Sequence, residues 1–256
     1  MSFDLGGETF GILGGAVIAA IFFLAGVVKG AAAFGVPTVS MPFLVLLMPV
    51  PTAASLLVVP ILVSNLVQGF QMRHGAPILK RIWPLLVVLP IMLFFSSHMI
   101  NVVDSDILFA LVGSLIVLLV ILQLANRIPP VPTGWTTPLL AGSGMVAGLL
   151  GGVTSFYAFP SLQLFLALRL AQAEFVFAAC SMFIVGALAL GAGYTDLGLL
   201  SQGDAFLMSF LVIPPLLAGQ QLGLWLVRRG SADRFKKIAL AVLFLLGLSM
   251  VVRGVI

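Results

Sequence analysis

Continuous apolar runs, such as 111–124 and 238–252, alternate with short polar stretches along the chain. A spanning helix needs about 20 apolar residues, and the runs lack the strict alternation of membrane β-strands. The pattern therefore predicts an all-α polytopic membrane protein. We expect ten helical elements, at roughly 9–28, 36–49, 51–71, 82–99, 106–125, 136–150, 157–168, 172–192, 204–226 and 236–253. Because 36–49, 136–150 and 157–168 are short, eight full crossings plus broken pieces remain an alternative to ten crossings.

The composition agrees with this pattern. Of 256 residues, 61% are hydrophobic and 8% are charged, whereas a soluble domain carries about 25% charged residues. So few charges cannot cover a water-facing surface, and we expect a multi-pass protein of the membrane. The acidic start, Met1 to Gly7, does not resemble a cleavable signal peptide. The single cysteine, Cys180, excludes an intrachain disulfide.

Two segments look like copies of each other, and each interrupts an apolar run. Residues 25–37 and 147–160 both begin Ala-Gly, contain a further Gly, reach a Phe and then meet a Pro. Backbone amides freed by such a break cannot stay unpaired in lipid, so they must face protein or a wet cavity. A broken apolar segment repeated in two halves is typical of a transporter's binding site.

Basic residues predict the orientation. If every element crosses, ten Lys and Arg residues fall on one side: Arg73, Lys80, Arg81, Arg127, Arg169, Arg228, Arg229, Arg234, Lys236 and Lys237. Short loops rich in Lys and Arg favour the cytoplasmic side, so we expect both termini outside. The same rule accounts for a pI near 9.7 without nucleic acid as a partner.

Five elements per half is an odd number, so the second half enters the membrane with the opposite orientation. We therefore expect a five-plus-five inverted repeat with broken helices. Its parts are a first repeat at 1–126, a Pro-rich connector at 127–134 and a second repeat at 135–256. Substrate in such folds binds near the midplane, between the halves.

Several motifs resemble those of the TauE/SafE sulfite exporter family. In the first half they are Lys29-Gly30 with Phe34-Gly35, then 41–44 (Met-Pro-Phe-Leu) and 64–68 (Ser-Asn-Leu-Val-Gln). In the second half they are 148–152 (Gly-Leu-Leu-Gly-Gly) and 159–165. The resemblance covers essentially the whole chain. It implies transport of sulfite, sulfonates, thiosulfate or related small anions across a bacterial inner membrane.

One departure from the family pattern bears on substrate. The second copy in the family often carries Gly-Pro-Pro before its apolar stretch, and here the chain has Tyr157-Ala158-Phe159-Pro160. An aromatic residue thus replaces a small one at the candidate site. The resemblance therefore implies a shifted substrate preference.

An oxyanion site needs hydrogen-bond donors and a positive field, which helix N-termini, hydroxyls and a lysine supply. The candidate substrate-binding residues lie at the two breaks or are polar side chains within predicted helices: Lys29, Gly30, Phe34, Gly35, Asn65, Gln68, Gly152, Thr154, Ser155, Tyr157 and Gln163. Other interpretations stay open. Lys29 could extend to the headgroups, while Asn65 and Gln68, which share one helix face, could join helices through hydrogen bonds.

The resemblance implies export of a small sulfur oxyanion, for which we favour alternating access driven by the membrane potential. No Asp or Glu lies in the middle of a predicted span, so a carboxylate proton relay has little to build on. An anion channel, a carrier for another small organic anion and a structural membrane subunit remain alternatives. We expect no enzyme activity, cofactor or metal. The expected partners are the small anion and membrane lipid, with a second copy of the chain as an open alternative.

Overall fold

A computed structural model describes residues 3–5, 7–32, 36–125, 131–132, 134–201, 204–229 and 232–255. The all-α prediction is confirmed. Among the described residues the helices are α1 (Ile12–Ala32), α2 (Val36–Leu44), α3 (Val50–Gln71), α4 (Leu79–Ser97), α5 (Ser105–Ala125), α6 (Thr136–Thr154), α7 (Ser161–Ala167), α8 (Gln172–Asp196), α9 (Ala205–Leu211), α10 (Ile213–Arg228) and α11 (Ala232–Val255). Short 3-10 helices at Arg73–Ile78 and Leu199–Ser201 join their neighbours. Six helical stretches are long and apolar enough to span a membrane.

The breaks between helices follow from local chemistry. α9 and α10 form one predicted element, interrupted at Val212 just before Pro214 and Pro215. Proline lacks the N–H that would continue the helix and clashes with the preceding turn. α6 runs four residues beyond its predicted end, to Thr154, and α7 starts four residues later than predicted, at Ser161.

A short antiparallel hairpin before α1 was not predicted. It pairs β1 (Phe3–Leu5) with β2 (Glu8–Phe10). The hairpin is held to the start of α9, because Asp204 N–H donates to the Asp4 carbonyl at 2.7 Å and Asp4 N–H donates to the Asp204 carboxylate at 2.9 Å. The structure thus brings together two acidic residues that are 200 positions apart in the chain.

The helix directions test how many times the chain traverses the bundle. Gly69 of α3 lies against Cys180 of α8, while Val58 lies against Gly191, so α3 and α8 are antiparallel. With ten traverses that alternate in direction, these two helices run in opposite directions. If α2 and α7 did not traverse the bundle, α3 and α8 would be parallel. The described helices therefore support ten traverses over eight.

A second pair of helices gives the same result. Gly113 of α5 packs against Gly247 of α11, and Gly254 of α11 packs against Ala110, so α5 and α11 are also antiparallel. By chain order, α3 corresponds to α8 and α5 corresponds to α11 in the two halves. Antiparallel contact between corresponding helices is what an inverted repeat requires.

Two further large interfaces each join a helix of one half to a helix of the other half. α1 packs along α10 and α6 packs along α4, each pair in parallel. These two interfaces correspond to each other if α1 matches α6 and α4 matches α10. The repeat boundaries at 126 and 135 stay a prediction, because residues 126–130 and 133 lie outside the described residues.

The three tryptophans lie at one end of the bundle. Trp83 begins α4, Trp135 directly precedes α6 and Trp225 lies near the end of α10, and all three are exposed. The Arg229 guanidinium stacks 4.1 Å from the Trp225 ring. Exposed tryptophans beside basic residues are typical of a membrane–water interface. This end matches the side predicted to be cytoplasmic.

Candidate functional site

Lys29 lies in the last turn of α1 and is 1% exposed. Its Nζ donates a 2.6 Å hydrogen bond to Oδ1 of Asn65 on α3. The same Nζ lies 5.9 Å from the centre of the Phe183 ring on α8, within range of a cation–π contact. The interpretation that Lys29 extends to the headgroups is therefore wrong, because its ammonium group is buried between three helices.

Asn65 and Gln68 share one face of α3, as their spacing predicted, and both are buried. Asn65 accepts from Lys29 and donates through Nδ2 to the Ile61 carbonyl at 2.7 Å. Gln68 accepts a long hydrogen bond from the Cys180 thiol, 3.7 Å away on α8. Asn65 thus positions the cation, whereas Gln68 joins α3 to α8.

The break after α6 is built by the side chains of Thr154 and Ser155. Thr154 Oγ1 donates to the Leu150 carbonyl at 2.7 Å and accepts from the Phe156 N–H at 3.1 Å. Ser155 adopts a left-handed backbone, with φ of 57°, which ends the helix. Both hydroxyls are engaged with protein groups in this conformation.

Tyr194 of α8 completes that break and was not among the predicted site residues. Its hydroxyl lies 3.0 Å from Ser155 Oγ and 3.3 Å from the Gly152 carbonyl. The ring is fully buried. A tyrosine inside an apolar helix was the sequence signal, since a buried phenol requires a hydrogen-bond partner.

Phe183 connects the two breaks. The Tyr157 hydroxyl donates to the Phe183 carbonyl at 3.1 Å, and the two rings lie 5.4 Å apart between centroids. The Phe183 ring also faces the Lys29 ammonium. Lys29 from the first break and Tyr157 from the second therefore meet on one residue of α8, as a site between the halves requires.

Gly30 and Gly152 allow close helix packing. A methyl group at Gly30 would overlap the Gln220 carbonyl on α10, and one at Gly152 would overlap the Ser96 hydroxyl on α4. Small residues at such positions let helix backbones approach. Gly152 also accepts from Tyr194 through its carbonyl.

Gln163 lies elsewhere. It lines an open, mostly apolar groove of about 440 Å³ between α6 and α7, together with Pro132, Ser143 and Pro160. Lys29, Asn65 and Phe183 do not line this groove. Gln163 therefore lines a different surface from Lys29 and Asn65, and its buried Oε1 has no hydrogen-bond partner among the described residues. Phe34 and Gly35 lie outside the described residues.

The positive charge of Lys29 has no neighbouring counter-charge among the described residues. Within the described ranges its ammonium group forms no ion pair, and its hydrogen-bond partner is a neutral amide. Glu174 is the acidic residue of α8 nearest in sequence to Phe183. It accepts a hydrogen bond from the Ala171 N–H at the start of that helix. Among the residues that can be described, no group of three His, Cys, Asp or Glu side chains could hold a metal ion.

The comparisons with known proteins agree with the motifs. The family model described as "Sulfite exporter TauE/SafE" matches residues 18–250, which is nearly the whole chain. Neither a curated protein nor a solved structure gives a significant match. The resemblance drawn from the sequence motifs is confirmed by the family model.

Proposed function

Because the chain belongs to the TauE/SafE sulfite exporter family, we propose that it exports a small sulfur oxyanion, either sulfite or an organosulfonate. The membrane is the bacterial inner membrane, and transport occurs by alternating access. The anion binds beside Lys29, between the two repeats. Phe183 and Tyr157 form the opposite wall of this site.

The uncompensated charge of Lys29 carries the proposal. Burying an ammonium group in protein costs several kcal/mol after relaxation, and the described neighbours of Lys29 provide no carboxylate to offset it. A bound monoanion supplies the missing negative charge. One hydrogen bond to Asn65 leaves the other N–H groups of the ammonium available for anion oxygens.

The membrane potential supplies the driving force. An inside-negative potential favours outward movement of each negative charge by about 2.3 kcal/mol per 100 mV. Anion export along this gradient requires neither a carboxylate relay nor a coupling ion.

The test is sulfite counterflow into proteoliposomes that contain the purified protein. A carrier accelerates uptake of labelled sulfite when unlabelled sulfite fills the lumen, whereas a channel does not. We expect counterflow with the wild type and its loss with Lys29→Met. Methionine preserves the volume of the side chain, and replacing a buried charge by an apolar group is often neutral or stabilising.

Lys80→Ala is the matched control, since Lys80 is exposed at the start of α4. We expect wild-type counterflow from it. Full counterflow by a folded Lys29→Met protein would contradict the site. Efflux that ignores an imposed potential would contradict the driving force alone.

A further inference from the structure

The interface between α1 and α10 contains a buried amide that the fold leaves unsatisfied. Gln220 on α10 is fully buried, and neither its Nε2 nor its Oε1 has a hydrogen-bond partner among the described residues. A buried polar group without a partner costs about 1–3 kcal/mol, and the large majority of such groups in proteins are paired. An amide retained in the middle of a membrane helix therefore points to a ligand.

Gln220 lies at the level of Lys29. A Cβ at Gly26 would fall 2.9 Å from the backbone nitrogen of Gln220, and one at Gly30 would overlap the backbone carbonyl oxygen of Gln220. Lys29 lies between these two glycines in α1. α10 also contacts α3, the helix that carries Asn65. The backbone of Gln220 therefore lies at the depth of Lys29, on a helix that packs against both α1 and α3.

Other unsatisfied groups lie on α2, a second neighbour of α1, and one more, Gln163 Oε1, lies on α7. Thr38 Oγ1 and Ser40 Oγ on α2 are buried and have no hydrogen-bond partner among the residues described. α2 and α10 both pack against α1. The unpartnered polar atoms of the first repeat and of α10 thus lie on the two helices that flank the one carrying Lys29.

We propose that Gln220 is a ligand of the transported anion, and that the site selects a small, singly charged oxyanion. This inference rests on the proposed function. The Nε2 group donates to anion oxygens, while Oε1 accepts a hydrogen bond from a hydroxyl that the anion carries, such as that of hydrogensulfite. Since Lys29 contributes one positive charge and Gln220 contributes none, one negative charge balances the site.

The chain offers a matched pair of variants for the test. Gln220→Leu removes the buried amide, and Gln221→Leu changes the adjacent, exposed glutamine of the same helix. Sulfite binding to purified protein is measured by calorimetry, with Lys29→Met in parallel. We expect Gln220→Leu to raise the Kd for sulfite about tenfold or more without lowering the Tm, and Gln221→Leu to leave the Kd unchanged.

A second variant guards against a purely structural effect. Gln220→Glu keeps the shape of the side chain but places a carboxylate near Lys29, so we expect sulfite binding to fall more than tenfold. Wild-type affinity in both Gln220 variants, together with loss of binding in Lys29→Met, would overturn the role of Gln220 and leave the proposed function standing. Absence of sulfite binding by the wild type would overturn the proposed function itself.

Discussion

The hydroxyl of Tyr194 lies 3.0 Å from the hydroxyl of Ser155, so α8 holds the break that follows α6. The same phenol lies 3.3 Å from the Gly152 carbonyl. Since Ser155 has a left-handed backbone, which an L-residue adopts at some energetic cost, its conformation depends on these contacts. Tyr194 therefore stabilises the irregular segment from outside it.

Tyr194→Phe removes both hydrogen bonds and keeps the ring. We expect the free energy of unfolding to fall by about 1–2 kcal/mol, since each buried hydrogen bond contributes roughly 1 kcal/mol. Thermal unfolding in detergent measures this change. Tyr157→Phe, which loses one bond to the Phe183 carbonyl, is the comparison and should lose less. Equal stability of Tyr194→Phe and the wild type would show that the segment after α6 keeps its conformation without the Tyr194 hydroxyl.

Asn65→Asp adds a negative charge beside Lys29 while keeping the shape of the side chain. The carboxylate keeps an acceptor for Lys29 and neutralises its charge, so we expect sulfite affinity to fall at least tenfold while the Tm stays within a few degrees. Asn65→Leu instead leaves the ammonium without its hydrogen-bond acceptor, and we expect a loss of about 1.5–3 kcal/mol in the free energy of unfolding. Calorimetry and thermal unfolding report the two effects. Unchanged affinity in Asn65→Asp would argue against an anion beside Lys29.

Gly152→Ala tests the close approach of α6 to α4. The added methyl would fall 2.5 Å from the Ser97 backbone nitrogen, so the helices must separate, and we expect a loss of about 1–3 kcal/mol. Gly142→Ala on the same helix is the control, because a methyl group there meets nothing within 4 Å. It should be neutral, or stabilising by up to about 1 kcal/mol. A Tm for Gly152→Ala equal to that of Gly142→Ala would contradict the packing argument.

The long helices could be predicted because each apolar run is continuous and most of the breaks between them contain Gly or Pro. The prediction was poorer where local pattern and tertiary contact disagree. α6 continues through Gly151 and Gly152 to Thr154, since packing on α4 favours the helix despite two glycines. The N-terminal hairpin depends on Asp204, 200 residues away, and no local pattern reports such a contact.

The candidate site could be predicted only in part. Lys29, Asn65 and Tyr157 were identified because polar groups within apolar runs are conspicuous. The convergence of Lys29 and Tyr157 on Phe183 could not be predicted, since a phenylalanine in an apolar helix carries no distinguishing signal. Gln220 was overlooked although it is as polar as Asn65 and Gln68, which were selected, and the sequence does not show which glutamine of the pair 220–221 is buried. Only the packing of α10 on α1 places it at the level of Lys29.

The pairing of His98 with Asp196 predicts a pH dependence at the outer end of α4 and α8. His98 Nε2 lies 2.9 Å from an Asp196 carboxylate oxygen, and Nδ1 lies 2.9 Å from the Phe94 carbonyl. Both ring nitrogens thus face acceptors, which only the imidazolium satisfies with two donors. The hydrogen bond that His98 donates to Asp196, followed by the bond to the Phe94 carbonyl, raises the pKa of His98 above its ordinary value.

A group whose pKa is raised by folding contributes stability below its unfolded pKa, near 6.5, and loses that contribution as the pH rises through the folded pKa. We therefore expect the Tm difference between the wild type and Asp196→Asn to be larger at pH 6 than at pH 9. His98→Gln, which does not titrate, should show a Tm gap to the double variant His98→Gln/Asp196→Asn that stays constant across this range. The effect should also shrink in high salt, because the pair is exposed and its charges are screened. If the gap between the wild type and Asp196→Asn is equal at both pH values, the imidazolium does not hold α4 to α8.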